Sequence, residues 1–341
     1  MKIYLAGVPG GGRPGDCKRE QEINNKFNLS RLHSYFHLSE TKGQLMKEQI
    51  DLFLDSGAFS AFTQGIQIDI EEYIQFIKEH KDYLQVYANL DVIGDPVGTW
   101  RNQKIMEESG LNPLPCFHYG EDKKWLRRYL DKGHDYIAFG GMVPISTNNL
   151  RIWLDDLFAN YISDKNGFPI IKVHGFGLTS LSLMLRYPWY SVDSTSWVMT
   201  GRMGSIYVPK YKNGTWVYDE NSWKICVSTK SPSKNEAGKH IDTFTPKIKE
   251  IILEYIHDKK YVLGKSEFRF ESEKYELKEN EKWASKAANS KREVETIIES
   301  GLCNDYKLRD EINIIYFLDL EKNMPEWPWS FKLKGAKGFS L

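Results

Sequence analysis

The chain has 341 residues, 41% hydrophobic and 27% charged, and its 46 Lys+Arg against 46 Asp+Glu leave no formal net charge. At ~150 residues per domain that length holds one large core or two ordinary ones. The charge balance excludes a generally basic nucleic-acid coat and a highly charged disordered chain, while leaving room for a local basic groove.

No apolar run reaches the ~18–20 residues that cross a bilayer, and Met1 to Gly15 lacks the charged start and long apolar stretch of a secretion signal. A soluble, cytoplasmic protein without a membrane partner is expected. Cys17, Cys116, Cys226 and Cys303 stand singly, so neither a paired-cysteine metal site nor a disulfide framework is expected. No metal and no cofactor are anticipated. An aromatic content of 13%, with 10 Trp, favours a flat ligand or nucleobase.

In chain order, short β-branched or aromatic runs alternate with polar turns and stretches of helical spacing. Eight strands are predicted: Lys2 to Ala6, Arg31 to Phe36, Leu52 to Asp55, Gln85 to Asp91, Leu114 to His118, Tyr136 to Gly140, Ile170 to His174 and Trp189 to Asp193. Amphipathic helices are predicted over Ile70 to Lys81 and Leu150 to Ile162. Gly7 to Gly15 lacks the Lys-Ser/Thr ending of a phosphate loop and reads as a substrate-covering loop. Eight βα units close most economically as a (β/α)8 TIM-like barrel over residues 1–204, although an open doubly wound sheet shares this grammar.

Beyond Gly204 the pattern changes to a C-terminal α+β appendage over 205–341. Ile206 to Val208 and Thr215 to Tyr218 flank Asn213-Gly214 and read as a hairpin. Ser228 to Gly238 is a polar loop, and Phe244 to His257 a helix. Glu271 to Arg292 reads as a solvated helical arm, and Glu311 to Leu320 as apolar enough to pack on the barrel.

Chemistry in such barrels collects at the carboxyl ends of the strands. Here those ends are polar: Asp55-Ser56-Gly57, Asn89-Leu90-Asp91, His118-Tyr119-Gly120, Gly140-Gly141-Met142, His174-Gly175-Phe176-Gly177 and Asp193-Ser194-Thr195. Each alone has a plain reading as a helix cap, a turn or a core histidine. Together they bring Asp55, Asp91 and Asp193 toward one pocket. Two carboxylates flanking a glycosidic carbon split that bond, one as nucleophile and one handling the proton. A third accepts two parallel hydrogen bonds from a purine edge such as guanine N1–H and the 2-amino group. Gly140 and Gly141 would let backbone N–H groups approach a carbonyl oxygen, and Phe59 would stack on the base.

At these residues, from about Leu52 to Gly204, the sequence resembles the tRNA-guanine transglycosylase superfamily, and more closely its DNA-modifying branch, the DpdA-type DNA 7-deazaguanine transglycosylases. Asp55-Ser56-Gly57-Ala58-Phe59 is similar to the family's Asp-Ser-Gly-Gly-aromatic segment, whose Asp is the general acid/base. The resemblance implies base recognition by Asp91, Ser56, Phe59, Gly140, Gly141, His174 and Gly175, with His118 in the place of a glutamine. It implies that Asp193 is the nucleophile and that Arg202 approaches phosphate. Lys210 and Lys212 join Arg202 as expected nucleic-acid contacts.

The departures from the family pattern concern the polynucleotide side. The Cys-x-Cys-x-x-Cys zinc subdomain is missing, Ala58 replaces a glycine, and Ser194 to Trp197 replaces an apolar stretch. These differences favour DNA, duplex with a flipped base or single-stranded, over tRNA, and a monomer over a dimer. The expected activity is exchange of guanine for a free 7-deazaguanine base through a covalent aspartyl-sugar intermediate. The alternatives are the same reaction on tRNA and a non-catalytic nucleic-acid-binding barrel.

Overall fold

The computed structural model describes residues 1–9, 17–38, 51–231, 236–284 and 290–333. The glycine-rich loop beyond Pro9 and the middle of the Ser228 to Gly238 loop lie outside the described residues. Two compact units are present: Met1–Thr195 together with the segment from Asn323, and Ser196–Lys322.

The first unit is built on β1 (Lys2–Ala6), β2 (Ser30–Ser34), β3 (Asp51–Asp55), β4 (Leu84–Tyr87), β5 (Cys116–His118), β6 (Tyr136–Gly140), β7 (Lys172–Gly175) and β8 (Ser191–Ser194). They form one curled parallel sheet in the order β4-β3-β2-β1-β8-β7-β6-β5. A parallel bridge between Ala88 and Leu114 joins the two outer strands, Leu114 N donating to Tyr87 O at 2.8 Å. Between the strands run α1 (Cys17–Lys26), α2 (Ala58–Thr63), α3 (Ile70–His80), α4 (Pro96–Glu108), α5 (Lys124–Asp131), α6 (Thr147–Leu157) and α7 (Leu181–Arg186). An eight-stranded parallel sheet surrounded by helices is a TIM-like α/β fold.

Side chains alternate along each strand, and the two faces part accordingly. Tyr4, Ala6, Leu32, Phe53, Ala88, Leu114, Cys116 and Ala138 pack together on the inner face. Leu52 and Leu54 point the other way, onto Tyr73, Ile74 and Ile77 of α3. Burying each of these aliphatic side chains contributes roughly 1.5–3 kcal/mol. The Asp69 side chain accepts from the amides of Glu71 and Glu72 and starts α3 where the apolar spacing begins.

Strand starts are tied by polar groups of their own. Asp51 accepts from Lys2 Nζ and Ser30 Oγ, both at 2.6 Å, and from the Tyr4 hydroxyl at 3.2 Å. The segment after Asn323 returns to this unit: Trp327 Nε1 donates to Pro188 O at 3.2 Å and Phe331 N to Gly167 O at 2.8 Å.

The division falls before Ser196 rather than at the expected 204/205. The reason lies in α8 (Ser196–Arg202): Asn313 Nδ2 donates to Trp197 O at 3.1 Å and Arg309 Nε to Gly201 O at 2.9 Å, tying this helix into the second unit. That unit contains β9 (Ser205–Val208), β10 (Lys210–Lys212), β11 (Thr215–Val217), β12 (Trp223–Cys226), α9 (Pro246–Asp258), β13 (Lys265–Ser272), β14 (Glu281–Trp283), β15 (Lys291–Glu299) and α10 (Tyr306–Asn323, its last residue beyond the boundary). Ile206, Val208, Ile225, Ile252, Tyr255 and Ile312 share its core.

Two expectations for this region are corrected. The Asn213-Gly214 turn joins β10 to β11, while β9 pairs with β12. A two-residue turn with φ of 50° and 81° leaves no slack, so its strands must be the immediate neighbours. The stretch read as a solvated helical arm instead belongs to an antiparallel sheet, β13-β15-β14. Its charges pair both between and along strands: Arg269 of β13 reaches Glu281 Oε1 on β14 and Glu271 Oε1 in its own strand, each at 2.8 Å. Among the described residues no helix is long and apolar enough to cross a membrane.

Candidate active site

The inward parity that places Phe53 in the barrel core carries two residues on to Asp55, and the same step leads from Cys116 to His118, from Ala138 to Gly140 and from Ser191 to Asp193. The polar strand ends therefore look into one mouth. Asp55 is the clearest report of this. Its carboxyl is raised from 3.8 to about 7, first by burial, then by the charges of Asp193 and Asp91, against hydrogen bonds from the Gly57 and Ser56 amides. The residue keeps partial contact with solvent, so the crowding is by neighbouring atoms rather than by full enclosure.

Gly57 N donates to Asp55 Oδ2 at 3.0 Å. Gly57 has φ 78°, and a Cβ there would strike Ser34 Oγ and Phe36 Cβ, so glycine lets the chain turn directly behind the acid. The Ser56 hydroxyl is buried and accepts from Ala58 N at 3.4 Å, the role of a turn residue. Phe59, on α2, is 62% exposed and leaves its ring faces open.

Asp193 is 6% exposed. Its Oδ1 accepts from Gly177 N at 2.7 Å, an amide in the loop after β7, which puts the carboxylate at the carboxyl-end mouth rather than under the helices. His174 Nε2 lies 3.3 Å from the same oxygen, in ion-pair reach but without hydrogen-bond alignment. The ring is fully buried among Tyr4, Phe53 and Phe176, and burial depresses its basicity despite the opposing pull of Asp193. Its Nδ1 is 2.7 Å from Ser191 Oγ, which is 2.6 Å from the Tyr136 hydroxyl. Gly175 packs against Leu178 and Trp189, a packing role.

Asp91 differs from the sequence expectation of two open acceptors. Its Oδ2 is 3.1 Å from His118 Nε2, while Oδ1 is buried and has no hydrogen-bond partner among the described residues. His118 is held on its other side by Glu121, at 3.1 Å from Nδ1 to Oε1 and 3.1 Å from the backbone N to Oε2. Burial works against charge on this ring, but Cys116 and Asp91 outweigh it and push its basicity up. Gly140 lies over the same cluster: a Cβ there would come 2.9 Å from Cys116 Sγ and 2.9 Å from His118 Cδ2. Gly141 has φ 66° and turns the chain out of β6. Glu121 was not among the expected site residues; its signal is a carboxylate three residues past a strand-end histidine.

The expected phosphate contacts belong to the second unit. Arg202 is exposed at the end of α8. Lys212 pairs with Glu220, and Lys210 Nζ sits 4.0 Å from the Trp223 ring centroid. Neither lysine is an unengaged cation, because acidic and aromatic neighbours in the hairpin region take them up.

Comparison with protein-family models, with curated proteins and with solved structures returns no match. The site's own chemistry therefore carries the functional reading.

Proposed function

We propose that this protein is a base-exchange transglycosylase that replaces guanine in DNA with a free 7-deazaguanine. The observation that carries the reading is the Asp55–Asp193 pair: two carboxylates at the ends of β3 and β8, electrostatically coupled, with one raised to about 7. A carboxyl near neutrality both gives and takes a proton at physiological pH.

In the first displacement an oxygen of Asp193 bonds to C1′ of the deoxynucleoside as the C1′–N9 bond breaks, and the Asp55 carboxyl delivers its proton to the departing guanine. In the second, the incoming base gives its N9 proton to Asp55. N9 then bonds to C1′, and the ester to Asp193 breaks. Nothing is oxidised or reduced, no ATP is needed, and two displacements restore the original anomeric configuration. The buried, unpartnered Asp91 Oδ1 suits a donor on the guanine edge, and the exposed Phe59 side chain suits the base face. Flipping the target out of a duplex costs a few kcal/mol, which stacking on Phe59 would offset.

The second unit is the proposed polynucleotide-holding appendage, with Arg202 among its exposed cations. Cys226 and Cys303 are buried single thiols there, in keeping with loss of the zinc subdomain of the tRNA-acting relatives. The test offers labelled guanine and candidate 7-deazaguanines with duplex DNA, single-stranded DNA and tRNA, followed by digestion to nucleosides and mass spectrometry. Label is expected in DNA, and Asp193→Asn is expected to lose at least ~10³-fold in rate. Incorporation only into tRNA would transfer the same chemistry to the other polynucleotide. An Asp193→Asn variant as fast as the parent would refute the nucleophile.

A further inference from the structure

Three donor atoms from one strand, β5, and the loop after β4 meet beside this pocket: an oxygen of Asp91, the sulfur of Cys116 and a ring nitrogen of His118, all within 4.8 Å of one another. We infer that Asp91, Cys116 and His118 form a binding site for a zinc-like divalent cation, with Glu121 as the positioning residue behind the histidine.

The geometry argues for an ion rather than for hydrogen bonding alone. Glu121 faces His118 Nδ1 at 3.1 Å, and since an ionised carboxylate only accepts, Nδ1 carries a hydrogen. Nε2 then faces two groups at once, Cys116 Sγ at 3.5 Å and Asp91 Oδ2 at 3.1 Å. One proton on Nε2 serves only one of them, whereas a cation among the three serves all. Tetrahedral zinc, with bonds of about 2.3 Å to sulfur and about 2.0 Å to nitrogen and oxygen, sets its donors roughly 3.5 Å apart for S and N and roughly 3.3 Å for N and O. The observed separations fall close to both.

The chemistry agrees with the geometry. One thiolate, one carboxylate and a neutral imidazole offset the double positive charge, and a thiolate with an imidazole selects zinc over calcium or magnesium. A carboxylate on the far ring nitrogen of a ligating histidine fixes its tautomer and raises its donor strength. A thiol ligates as the thiolate, so binding would displace a proton from the Cys116 sulfur and should release acid. Three protein donors leave the fourth position of a tetrahedral ion for water or a ligand atom. Paired cysteines are the usual sequence sign of zinc. Here Cys116 and His118 share the inward parity of one strand, and Asp91 comes from the chain following the neighbouring β4.

The experiment takes the full chain, strips it with a chelator, and titrates it with Zn²⁺ alone and with Co²⁺ alone. One equivalent per chain is expected with a dissociation constant below ~1 µM, together with a near-ultraviolet thiolate-to-cobalt charge-transfer band. Cys116→Ser should lose that band and bind at least ~100-fold more weakly. Glu121→Gln should keep the band and weaken binding ~10–100-fold. Wild-type protein that takes up no stoichiometric zinc, a cobalt spectrum without the thiolate band, or Cys116→Ser binding as tightly as wild type would each overturn the site. No nucleic acid is present in these titrations. Zinc uptake by a chain that exchanges no base supports the site, and base exchange by a chain that takes up no zinc counts against it.

Discussion

Replacing Asp55 by Asn should make the protein more stable and less active, and the gain should depend on pH. The Asp55 carboxyl is raised from 3.8 to about 7, by burial first and by Asp193 and Asp91 next. At 1.36 kcal/mol per pH unit, a gap of about three units is roughly 4 kcal/mol. Its partial solvent contact makes that an upper bound. The folded chain holds this proton more tightly than the unfolded chain does. The associated stability is therefore complete below the unfolded value near 3.8, and it is lost as pH rises through about 7. An asparagine has no charge to bury at any pH. Urea unfolding followed by tryptophan fluorescence, at about pH 4.5 and about pH 8, should show the variant gaining on wild type by up to ~4 kcal/mol at the higher pH. Parallel profiles for the two proteins would refute the burial of a charge-averse carboxyl at this position, whatever the protein's substrate.

Asp91→Asn removes one of the two charges that raise Asp55, so under the proposed reaction the pH above which guanine release slows should move down from about 7, and an unmoved limb in single-turnover exchange would contradict the coupling. Ser191→Ala strands the His174 ring and the Tyr136 hydroxyl, which lie 2.7 Å and 2.6 Å from Ser191 Oγ. At ~1–3 kcal/mol for each of the two groups left unsatisfied, denaturation should report a loss of roughly 2–6 kcal/mol, and a variant as stable as wild type would remove the polar link from the barrel's interior. Gly57→Ala places a side chain at φ 78° against Ser34 Oγ and Phe36 Cβ. A cost of roughly 2 kcal/mol or more is expected, read as a lowered melting temperature, and an unchanged one would show that the turn behind Asp55 is slack.

Much of the first unit was legible because parallel strands buried on both faces write themselves as short apolar runs with polar ends. Lys2–Ala6 and Tyr136–Gly140 coincide with their expected bounds. The strand read over Gln85 to Asp91 is shorter, Leu84–Tyr87, because after the Ala88 bridge the chain serves the site rather than the ladder: Asn89 Nδ2 donates to Thr99 O, and Asn102 Nδ2 to Leu90 O. Glu271 to Arg292 reads as a helical arm because its charge density outweighs its period, and the sheet that holds it shows its alternation only from further upstream: in Lys265–Ser272, Phe268 and Phe270 alternate with Glu267, Arg269 and Glu271. That is strand periodicity carried by charged residues. Pairings such as Arg269 with Glu281 are tertiary and leave no mark at fixed sequence spacing. For the same reason the Glu121 clamp and the meeting of Asp91 with Cys116 were hidden, while the strand-end aspartates were visible by position alone.

Alternation decides what those aspartates are able to do. Leu54 precedes Asp55 and Val192 precedes Asp193, each wholly buried, and Leu54 packs with α3. A slip of one residue in either strand would turn the carboxylate toward the helical layer and an aliphatic side chain into the mouth. The pairings Ser34 with Asp55 and Tyr4 with Asp193 thus set the site as well as the sheet. Inside the barrel, the line Tyr136–Ser191–His174 ends beside Asp193 Oδ1, which the Gly177 amide also holds. Polar atoms in an apolar interior stay in place only while every partner does. The position of Asp193 is consequently coupled to packing two strands away, and loss of Ser191 should lower activity by more than its cost in stability alone accounts for.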